Sequence, residues 1–509
     1  MSDDQEGPGG PDLTKGVLAG EVIEGTMLSG KVGDDPVLVA RVDGALFAIG
    51  ASCTHYHGPL GEGLLVGHEV RCPWHHGRFC LRTGEALGGP PIDPVDCWAV
   101  EERDGKIFVK AKADAPKPAA KSSKGPRRIL IAGGGAGGFA AAEMLRRHGY
   151  DGALSLVSSD VDAPYDRPNC SKDYLAGEAP AEWMPLREDG WYQDHDIDLK
   201  LKTEITGIDL AAGKASSKGG ADLGFDAVVL ALGAEPQRPP ILGFDGPKVF
   251  TLRSLTDAKA ILAAAKRAKR VAVVGASFIG LETAASLKHQ GLDVHVAAPE
   301  AIPLARILGN AVGEWVRSLH EQAGIVFHLG RQVRGYADGK LGLDNGEAIE
   351  ADFVICGTGV KPRTALAETA GLKVDNGVVV DRWLRASAAN VYAVGDIARF
   401  PEAHTSKLIR VEHWVHAERQ GQHVARMLLG DDAPFDDTPF FWSVHQGKTI
   451  NYVGHAGDFD PPKIEGSLEK EDALIRLAKD GRALAVATVG RDLDSLKAGL
   501  RFEREAKPA

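Results

Sequence analysis

Two glycine-rich segments constrain the fold of this chain more than any other feature of its sequence. Residues 133–138 read GGGAGG, and residues 275–280, which begin 142 positions further on, read GASFIG. Each segment follows a short apolar run that predicts a β-strand, at Arg128–Ala132 and Val271–Val274, and each opens a predicted helix. A glycine turn between a strand and a helix is typical of a dinucleotide-binding βαβ unit. The sequence therefore predicts two such units in one polypeptide.

The positions inside each turn have separate structural requirements. The first glycine permits the tight turn, the second allows the backbone to approach a pyrophosphate, and the third lets the helix pack closely on the strand. The helix N-terminus then faces the negative charge. Serine at the second position of the later turn is still small enough for this approach. Because one chain carries two such turns, we expect two different dinucleotides, one bound permanently and one exchanged. The positions are Gly133, Gly135 and Gly138 in the first turn and Gly275, Ser277 and Gly280 in the second.

A second pattern indicates a metal centre near the N-terminus. Cys53 and His55 are followed, after sixteen residues, by Cys72 and His75. Two thiolates and two imidazoles from two loops can bind either zinc or a Rieske [2Fe–2S] cluster, in which two histidines replace two cysteines on one iron. Zinc sites usually begin with two cysteines two to four residues apart, whereas here each cysteine is paired with a histidine. The spacing favours the cluster over zinc.

Length and composition limit the remaining possibilities. At roughly 150 residues per domain, a chain of 509 residues predicts three to four domains. The formal net charge of −11 argues against nucleic acid as a partner, because phosphate backbones would be repelled. No segment has the features of a signal peptide or the apolar length of a membrane span. With only six cysteines, the chain is expected to be a soluble cytoplasmic protein with reduced thiols.

Changes of pattern along the chain predict its domains. Short strands between turns come first, then a segment rich in Pro, Ala and Lys that has the composition of a linker, and then alternating strands and helices. We predict a small all-β domain followed by two Rossmann-like α/β domains and a C-terminal α+β domain. The predicted bounds are 1–110 for the β domain, 111–126 for the linker, 127–244 with 363–434 for the first α/β domain, 245–362 for the second, and 435–509 for the last.

The first domain resembles the Rieske ferredoxin family. The resemblance covers residues 13–110 and includes the strings CTHYHGPL and CPWHHGRF. It implies a [2Fe–2S] cluster in which Cys53 and Cys72 bind one iron, and His55 and His75 bind the other.

The residues around these ligands depart from one branch of that family. The high-potential Rieske proteins of respiratory complexes carry an extra cysteine pair, and here those positions are Gly58 and Trp74. No such disulfide can form, which predicts a potential towards the low end of the Rieske range of about −150 to +300 mV. We expect His57 and His76 to be polar residues of exposed cluster loops rather than ligands.

The rest of the chain, residues 127–509, resembles the two-dinucleotide-binding flavoprotein reductases. Within them it is similar to the apoptosis-inducing-factor-like and the oxygenase-coupled ferredoxin reductases. The resemblance includes the strings PYDRPNCSKDYLAG, VVGASFIGLE, YAVGDIA and RVEHWVHAERQG. A Rieske domain ahead of such a reductase is a recognised arrangement in the apoptosis-inducing-factor-like group. The resemblance implies an oxidoreductase with bound FAD and with NAD(P)H as its reductant.

The same resemblance assigns site residues. We expect Lys172, near flavin N5, to form an ion pair with Glu282, because a cation there favours the anionic reduced flavin. Trp442 is expected to cover the flavin ring. The NAD(P)H-binding residues that it implies are Gly275, Ser277, Gly280 and Gly359. The FAD-binding residues that it implies are Gly133, Gly135, Gly138, Ser159, Arg167, Lys172, Ile205, Arg253, Asp396 and Trp414.

Three places depart from the family pattern. Ser158 and Ser159 stand where an acid on the FAD ribose is expected, and Glu300 is displaced from the acid position of the second unit. No arginine stands there to bind a 2′-phosphate, which favours NADH over NADPH. Cys170 replaces a leucine and has no C-x4-C partner, so we favour a small apolar substitute over a catalytic thiol.

Together these features predict an NAD(P)H-dependent reductase. Electrons from NADH would pass through FAD to the Rieske cluster of the same chain and on to an external one-electron acceptor, either a protein or a small molecule. The linker permits either a docked or a swinging cluster. The alternative, which fold analogy supports, is a redox-responsive signalling or interaction flavoprotein with slow turnover.

Overall fold

The structure is a computed structural model that describes residues 10–114 and 125–506. Most of the predicted linker, residues 115–124, lies outside these described residues. In the two described ranges no helix combines the length and the apolar character needed to cross a membrane.

The N-terminal domain is built from antiparallel strands. Its strands are β1 (Val17–Leu18), β2 (Met27–Val32), β3 (Asp35–Val42), β4 (Ala45–Gly50), β5 (Leu64–Val66), β6 (Glu69–Arg71), β7 (Arg78–Cys80), β8 (Ala86–Gly88), β9 (Cys97–Arg103) and β10 (Lys106–Lys112). They form one sheet in the order β1-β10-β9-β4-β3-β2 and a second in the order β5-β6-β7-β8. Leu38, Ile49 and Phe79 belong to its buried core. The two loops that carry the predicted metal ligands follow β4 and β6, so both emerge from the end of a buried strand.

The first α/β segment contains the first glycine turn. Its elements are β11 (Arg128–Ala132), α1 (Ala136–Arg147), β12 (Ala153–Val157), α2 (Asp173–Ala176), α3 (Trp191–Asp194), β13 (Ile197–Lys200), β14 (Ile205–Asp209), β15 (Lys214–Ser217), β16 (Leu223–Gly224), β17 (Ala227–Leu230) and β18 (Ala234–Pro236). All four residues of β17 are apolar and buried, as expected for a central strand that helices cover on both faces.

The second α/β segment repeats this arrangement. Its elements are β19 (Val249–Thr251), α4 (Leu255–Ala265), β20 (Arg270–Val274), α5 (Phe278–His289), β21 (Asp293–Ala298), α6 (Ala305–Leu308), α7 (Asn310–Gln322), β22 (Val326–Leu329), β23 (Val333–Ala337), β24 (Lys340–Leu343), β25 (Ala348–Glu350), β26 (Phe353–Cys356) and β27 (Val360–Pro362). Its parallel sheet has the order β19-β26-β20-β21-β22.

The chain then returns to the first α/β sheet. The returning elements are α8 (Ala365–Thr369), β28 (Val378–Val379), β29 (Val391–Ala393), β30 (Ala398–Pro401), β31 (Leu408–Arg410) and α9 (Trp414–Leu428). Strand β29 completes a parallel sheet of order β13-β12-β11-β17-β29. Helix α9 packs directly on α1, where a Cβ atom on Gly421 would lie only 2.1 Å from the Gly137 carbonyl oxygen.

The C-terminal domain is an antiparallel sheet with one helix. Its elements are β32 (Phe440–His445), β33 (Lys448–Gly454), β34 (Lys463–Ser467), β35 (Asp472–Lys479), β36 (Arg482–Val489) and α10 (Asp492–Ala506). The order of the sheet is β32-β33-β36-β35-β34. The predicted fold class, an all-β domain followed by two Rossmann-like α/β domains and an α+β domain, is confirmed.

Candidate functional site

A cleft of about 1950 Å³ extends from the first glycine turn to the second. Pockets for single drug-sized ligands measure about 300–1,000 Å³, so this one has room for more than one such molecule. The predicted residues on its wall are Gly133, Gly135, Ser159, Arg167, Lys172, Ile205, Arg253, Gly275, Ser277, Glu282, Gly359, Asp396, Trp414 and Trp442. Gly138 and Gly280 lie behind the wall, in the first turns of α1 and α5.

The first glycine turn fits a bound pyrophosphate. Gly133 has φ of +117°, and a Cβ atom there would lie 2.1 Å from the Ala231 carbonyl oxygen. A Cβ atom on Gly138 would lie 1.9 Å from the Gly133 carbonyl oxygen, so helix and strand meet without a side chain between them. No side chain of the described residues caps the first turn of α1, which leaves its N–H groups to a ligand. Arg167 adds a positive charge beside Gly135.

The second glycine turn differs from the first because its serine has a structural role. The Ser277 hydroxyl accepts a hydrogen bond from the Gly280 N–H at 3.2 Å and donates one to the Gly357 carbonyl at 2.9 Å. Ser277 is therefore the N-cap of α5 and also joins this helix to the end of β26. The substitution that departs from the glycine pattern thus stabilises the turn and keeps a small side chain at the cleft.

Asp160 lines the cleft beside Ser159, but its carboxylate already has hydrogen-bond partners within the protein. One carboxylate oxygen of Asp160 accepts the Val161 N–H at 2.8 Å, and the other accepts the Tyr165 hydroxyl at 2.9 Å. The carboxylate is therefore occupied within its own turn, whereas Ser159 is exposed on the cleft wall.

Two ion pairs lie where the two α/β segments meet. The Arg253 guanidinium and the Asp396 carboxylate are 2.6 Å apart, and the Lys172 ammonium donates to Glu282 Oε2 at 2.8 Å. Glu282 is only 3% exposed, so its charge is compensated almost entirely by protein groups. The pairing expected between Lys172 and Glu282 is present in the structure.

A buried hydrogen-bond chain behind Glu282 was not anticipated from the sequence. The Ser443 hydroxyl donates to Glu282 Oε1 at 2.6 Å, and its oxygen lies 3.1 Å from His445 Nε2. His445 Nδ1 lies 3.2 Å from His320 Nε2. Burial, with the Lys172 charge, lowers the pKa of His445 to about 3, and burial, with His445, lowers that of His320 to about 3. Both imidazoles are therefore neutral at neutral pH.

The single hydroxyl proton of Ser443 determines the direction of this chain. Because that proton goes to Glu282, His445 must donate from Nε2, and its bare Nδ1 must accept from His320 Nε2. Every donor along the chain then points towards Glu282, so the dipoles add and stabilise the carboxylate. Ser443 directly follows Trp442 in the sequence, but nothing in its neighbourhood predicts its contact with the two histidines.

Cys170 lies on the cleft wall and is buried. Burial is the main reason that its pKa rises to about 12, although the Arg167 charge opposes the rise. The thiol is therefore protonated near neutral pH, whereas the thiolate is the nucleophilic form. Its surroundings match those of a small apolar residue rather than an activated nucleophile.

Replacing Cys170 with serine is expected to change little. We expect NADH oxidation by the variant to stay within about twofold of the wild-type rate, because the thiol is protonated and takes part in no ion pair. Steady-state NADH oxidation with ferricyanide, alongside a peroxidase assay, measures the effect. A peroxidase activity in the wild type that disappears in Cys170→Ser would contradict this expectation.

The two metal-ligand loops have the same backbone geometry. In the first, the Cys53 N–H donates to the Gly58 carbonyl at 2.9 Å, and in the second the Cys72 N–H donates to the Gly77 carbonyl at 2.8 Å. Each loop thus returns on itself around its cysteine. The backbone N–H groups of the residues that follow each cysteine point at its sulfur, which suits a thiolate ligand.

The four predicted ligands come together where the loops meet. His55 Nδ1 and His75 Nδ1 face each other at 3.2 Å, and the Cys53 and Cys72 thiols lie within hydrogen-bond reach of each other. Both cysteines are buried and free. A thiol pair beside an imidazole pair is the donor set of a Rieske cluster, so these residues fit that group.

One expectation about the ligand loops is wrong. His57 is exposed, as expected, but His76 is buried. Its ring stacks on Phe440 at 3.9 Å, and its Nε2 lies 3.1 Å from the Ser495 hydroxyl. Both partners belong to the C-terminal domain, more than 360 positions away in the sequence, so a neighbouring domain decides the burial of His76.

The N-terminal domain is docked on the rest of the chain through buried charges. Arg78 lies 2.5 Å from Asp437, and Arg71 binds both carboxylate oxygens of Glu503 at 2.8 and 3.0 Å. Arg419 of α9 donates to the His76 carbonyl at 2.6 Å. Burial alone would raise the pKa of Asp437, but the Arg78 guanidinium, with Arg419, holds it well below its usual range.

The docking brings the two predicted redox sites into contact. Trp442, on the cleft wall, packs against the His75 ring with 4.1 Å between ring centroids. The Lys172 ammonium lies over the same indole, 5.9 Å from its ring centroid. The Tyr56 hydroxyl, beside His55, donates to Asp166 of the first α/β segment. One aromatic side chain therefore joins the metal-ligand loop to the cleft.

Family models match both parts of this arrangement. Residues 127–421 match the pyridine nucleotide-disulphide oxidoreductase family, and residues 15–99 match the Rieske [2Fe–2S] domain. The chain belongs to this oxidoreductase family and carries a Rieske domain ahead of it. It is therefore a flavoprotein oxidoreductase with sites for FAD, NAD(P)H and a [2Fe–2S] cluster, and the cluster interpretation is favoured over zinc.

Particular relatives match either nearly the whole chain or about three quarters of it. Apoptosis-inducing factor 3 of Homo sapiens is 30% identical over 92% of this chain and 80% of its own length. The ferredoxin–NAD(+) reductase subunit of the benzene 1,2-dioxygenase system of Pseudomonas putida is 32% identical over 72% of this chain and 90% of its own length. The crystal structure of the covalent putidaredoxin reductase–putidaredoxin complex superposes with a TM-score of 0.72 at 30% identity, covering 76% of this chain and 94% of that one.

Proposed function

We propose that this protein oxidises NADH and delivers the electrons, one at a time, through its own Rieske centre to an external one-electron acceptor. When bound, FAD accepts a hydride from the nicotinamide, and the cluster carries single electrons. The protein holds both groups and sets the distance between them.

The observation that carries this proposal is the position of Trp442. Its indole forms part of the cleft wall and packs on His75, a predicted iron ligand, at 4.1 Å between centroids. A signalling flavoprotein would have no need for this contact, whereas an internal electron path requires short, packed connections between its two centres. The ion pair of Arg78 with Asp437 and the hydrogen bond from Arg419 to the His76 carbonyl hold the N-terminal domain in this position.

The residues beside Trp442 have defined tasks in this proposal. Lys172 places a positive charge next to the proposed flavin position, and Glu282 holds the ammonium in place. The hydrogen-bond chain through Ser443 fixes Glu282 in turn. Arg167 and the open first turn of α1 would hold the FAD pyrophosphate.

Anaerobic titration of the reconstituted protein with NADH tests the proposal. We expect the flavin absorbance to bleach and a Rieske-type EPR signal to appear in the same titration, followed by rapid turnover when ferricyanide is added. A bleached flavin with no cluster signal would overturn it. Slow turnover with a long-lived NAD complex would instead favour the redox-responsive signalling alternative.

We also propose that NADH is preferred over NADPH. Glu300 lies on the cleft wall just beyond β21, where a carboxylate can accept ribose hydroxyls and repel a 2′-phosphate. Arg306 lies on the same wall, and its positive charge would favour the 2′-phosphate of NADPH instead.

Changing Glu300 to serine is expected to reduce this preference. The ratio of kcat/KM for NADH to that for NADPH should fall by about tenfold, since a like-charge contact with the 2′-phosphate is lost. Steady-state kinetics with both nucleotides measure the ratio. Glu314→Ser, on the exposed face of α7, is the matched control. An unchanged ratio in Glu300→Ser would assign the preference to other residues.

A further inference from the structure

The docked arrangement leaves one side of the Rieske ligand set facing the rest of the chain. The His75 ring lies against Trp442, and the His55 ring stacks on Tyr56 at 4.0 Å between centroids. Tyr56 is held to the first α/β segment through Asp166. The imidazole pair therefore faces the cleft, and a protein that approaches from solvent meets the ligand loops from another side.

Trp74 lies on a side of the ligand loops that is open to solvent. It comes two residues after Cys72, and 37% of its surface is exposed. A Cβ atom built on Gly58 would lie 2.7 Å from Cys72 Sγ and 3.2 Å from the indole ring of Trp74. The sulfur and the indole thus pack on the same glycine, and only a residue without a side chain allows this. Trp74 is thus a surface aromatic that shares a neighbour, Gly58, with a predicted iron ligand.

The surface around this position carries negative charge. Glu62 is exposed just before β5, and α10, which carries Asp492 in its first turn, packs on β5. One oxygen of the Asp492 carboxylate accepts a hydrogen bond from the Asn451 side-chain amide at 2.9 Å. Leu493, the neighbour of Asp492, is 38% exposed. An aromatic ring with an acidic rim is complementary to a partner with a positively charged rim.

We propose that Trp74, Glu62 and Asp492 form the face at which a basic one-electron carrier protein docks and collects electrons. We call it the Trp74 face. This inference rests on the proposed function, because it requires electrons to reach the Rieske centre from the cleft. In each encounter one electron leaves the centre and one carrier molecule is reduced by one electron, so no atom or proton is transferred. Entry on the imidazole side and exit on the Trp74 side would let the chain work without undocking its N-terminal domain.

Binding to a redox-inert probe tests the face without turnover. Zinc-substituted cytochrome c, a basic protein, is titrated into the full-length holoprotein by calorimetry at low ionic strength. We expect Trp74→Ala to weaken the Kd by about tenfold, as is common for a tryptophan at the centre of an interface, and Trp74→Phe to stay within about twofold. We expect Glu62→Lys to weaken it by about three- to tenfold, with the effect disappearing at high salt.

Asp104→Lys is the matched control for the charge reversal. Its side chain is 93% exposed in the turn between β9 and β10, at the other end of the same domain from the ligand loops. This control should leave the Kd unchanged. Unaltered binding by both Trp74→Ala and Glu62→Lys, or no binding of zinc cytochrome c by the wild type, would overturn the proposal. If Trp74→Ala loses its cluster, the Kd of Glu62→Lys for zinc cytochrome c tests the proposal on its own.

Electron paramagnetic resonance separates the failure of this inference from that of the proposed function. If NADH does not produce the Rieske signal in the wild type, the proposed function fails. If the signal appears, and NADH-driven reduction of ordinary cytochrome c is equally fast in the wild type, Trp74→Ala and Glu62→Lys, only the Trp74 face is refuted. Slower cytochrome reduction in these two variants, with the NADH-induced signal unchanged, supports it.

Discussion

Replacement of Trp442 by leucine is expected to slow NADH-driven reduction of the Rieske centre by about 10- to 100-fold while leaving flavin reduction unchanged within about twofold. The indole lies between the cleft and the His75 ring, and leucine would open a gap in this aromatic contact. Misplacement by about 1 Å can cost about 10²-fold in a reaction that depends on position. Stopped-flow absorbance follows the flavin, and rapid-freeze EPR follows the centre.

Two further variants identify the cause of any change. Trp442→Phe keeps an aromatic ring next to His75 and should retain most of the rate. Trp183→Leu, at an indole that is 71% exposed, should behave as the wild type. Wild-type reduction of the centre in Trp442→Leu would mean that electrons take another route and would remove the observation on which the proposed function rests.

Replacement of Lys172 by methionine is expected to slow flavin reduction by NADH by about 100-fold, within the range of about 10²–10³ that a lost electrostatic contact costs in other enzymes. The ammonium lies on the cleft wall, and a positive charge favours the anionic reduced flavin. The flavin midpoint potential should fall together with the rate. Stopped-flow kinetics and a spectroelectrochemical titration measure the two effects.

The buried position of Glu282 requires a second variant. Removing Lys172 alone leaves a carboxylate that is 3% exposed without its cation, which can cost about 3–5 kcal/mol of stability. The double variant Lys172→Met with Glu282→Gln removes both charges and restores the balance. If the double variant recovers the wild-type rate and potential, Lys172 acts only by neutralising Glu282. Lys259→Ala, which breaks a surface ion pair with Asp162, should change the rate by less than about twofold.

The contacts of the N-terminal domain bear on whether that domain is docked or swings on its linker. Arg71, Arg78 and Arg419 place guanidinium groups in a buried interface, where each one must keep its acceptor. An interface of this kind favours one orientation of the domain over many. The Rieske centre therefore sits against the cleft, and the swinging arrangement that the linker composition also allowed is not the one observed.

Features that depend on neighbours in the chain were predictable from the sequence. The strand Arg128–Ala132 was expected with the bounds that the structure has, and the strand expected at Val271–Val274 begins one residue earlier, because an apolar run beside a glycine turn leaves little choice. The four predicted metal ligands could also be picked out from the sequence, since each loop supplies a cysteine and a histidine within four positions, and the structure brings all four together. In both cases the residues that produce the prediction lie within one short segment of the chain.

Features that depend on distant partners needed the tertiary structure. The His445 to His320 contact joins residues 125 positions apart, and the docking of Arg71 on Glu503 joins residues 432 apart. The burial of His76 and the contact of Trp442 with His75 have the same origin. A short segment specifies its own backbone through steric and turn preferences, but a ring or a charge acquires its partner only when separate elements pack together. The cofactor classes could thus be inferred from local motifs, whereas the contact between the cleft and the ligand loops depends on the packing of the domains.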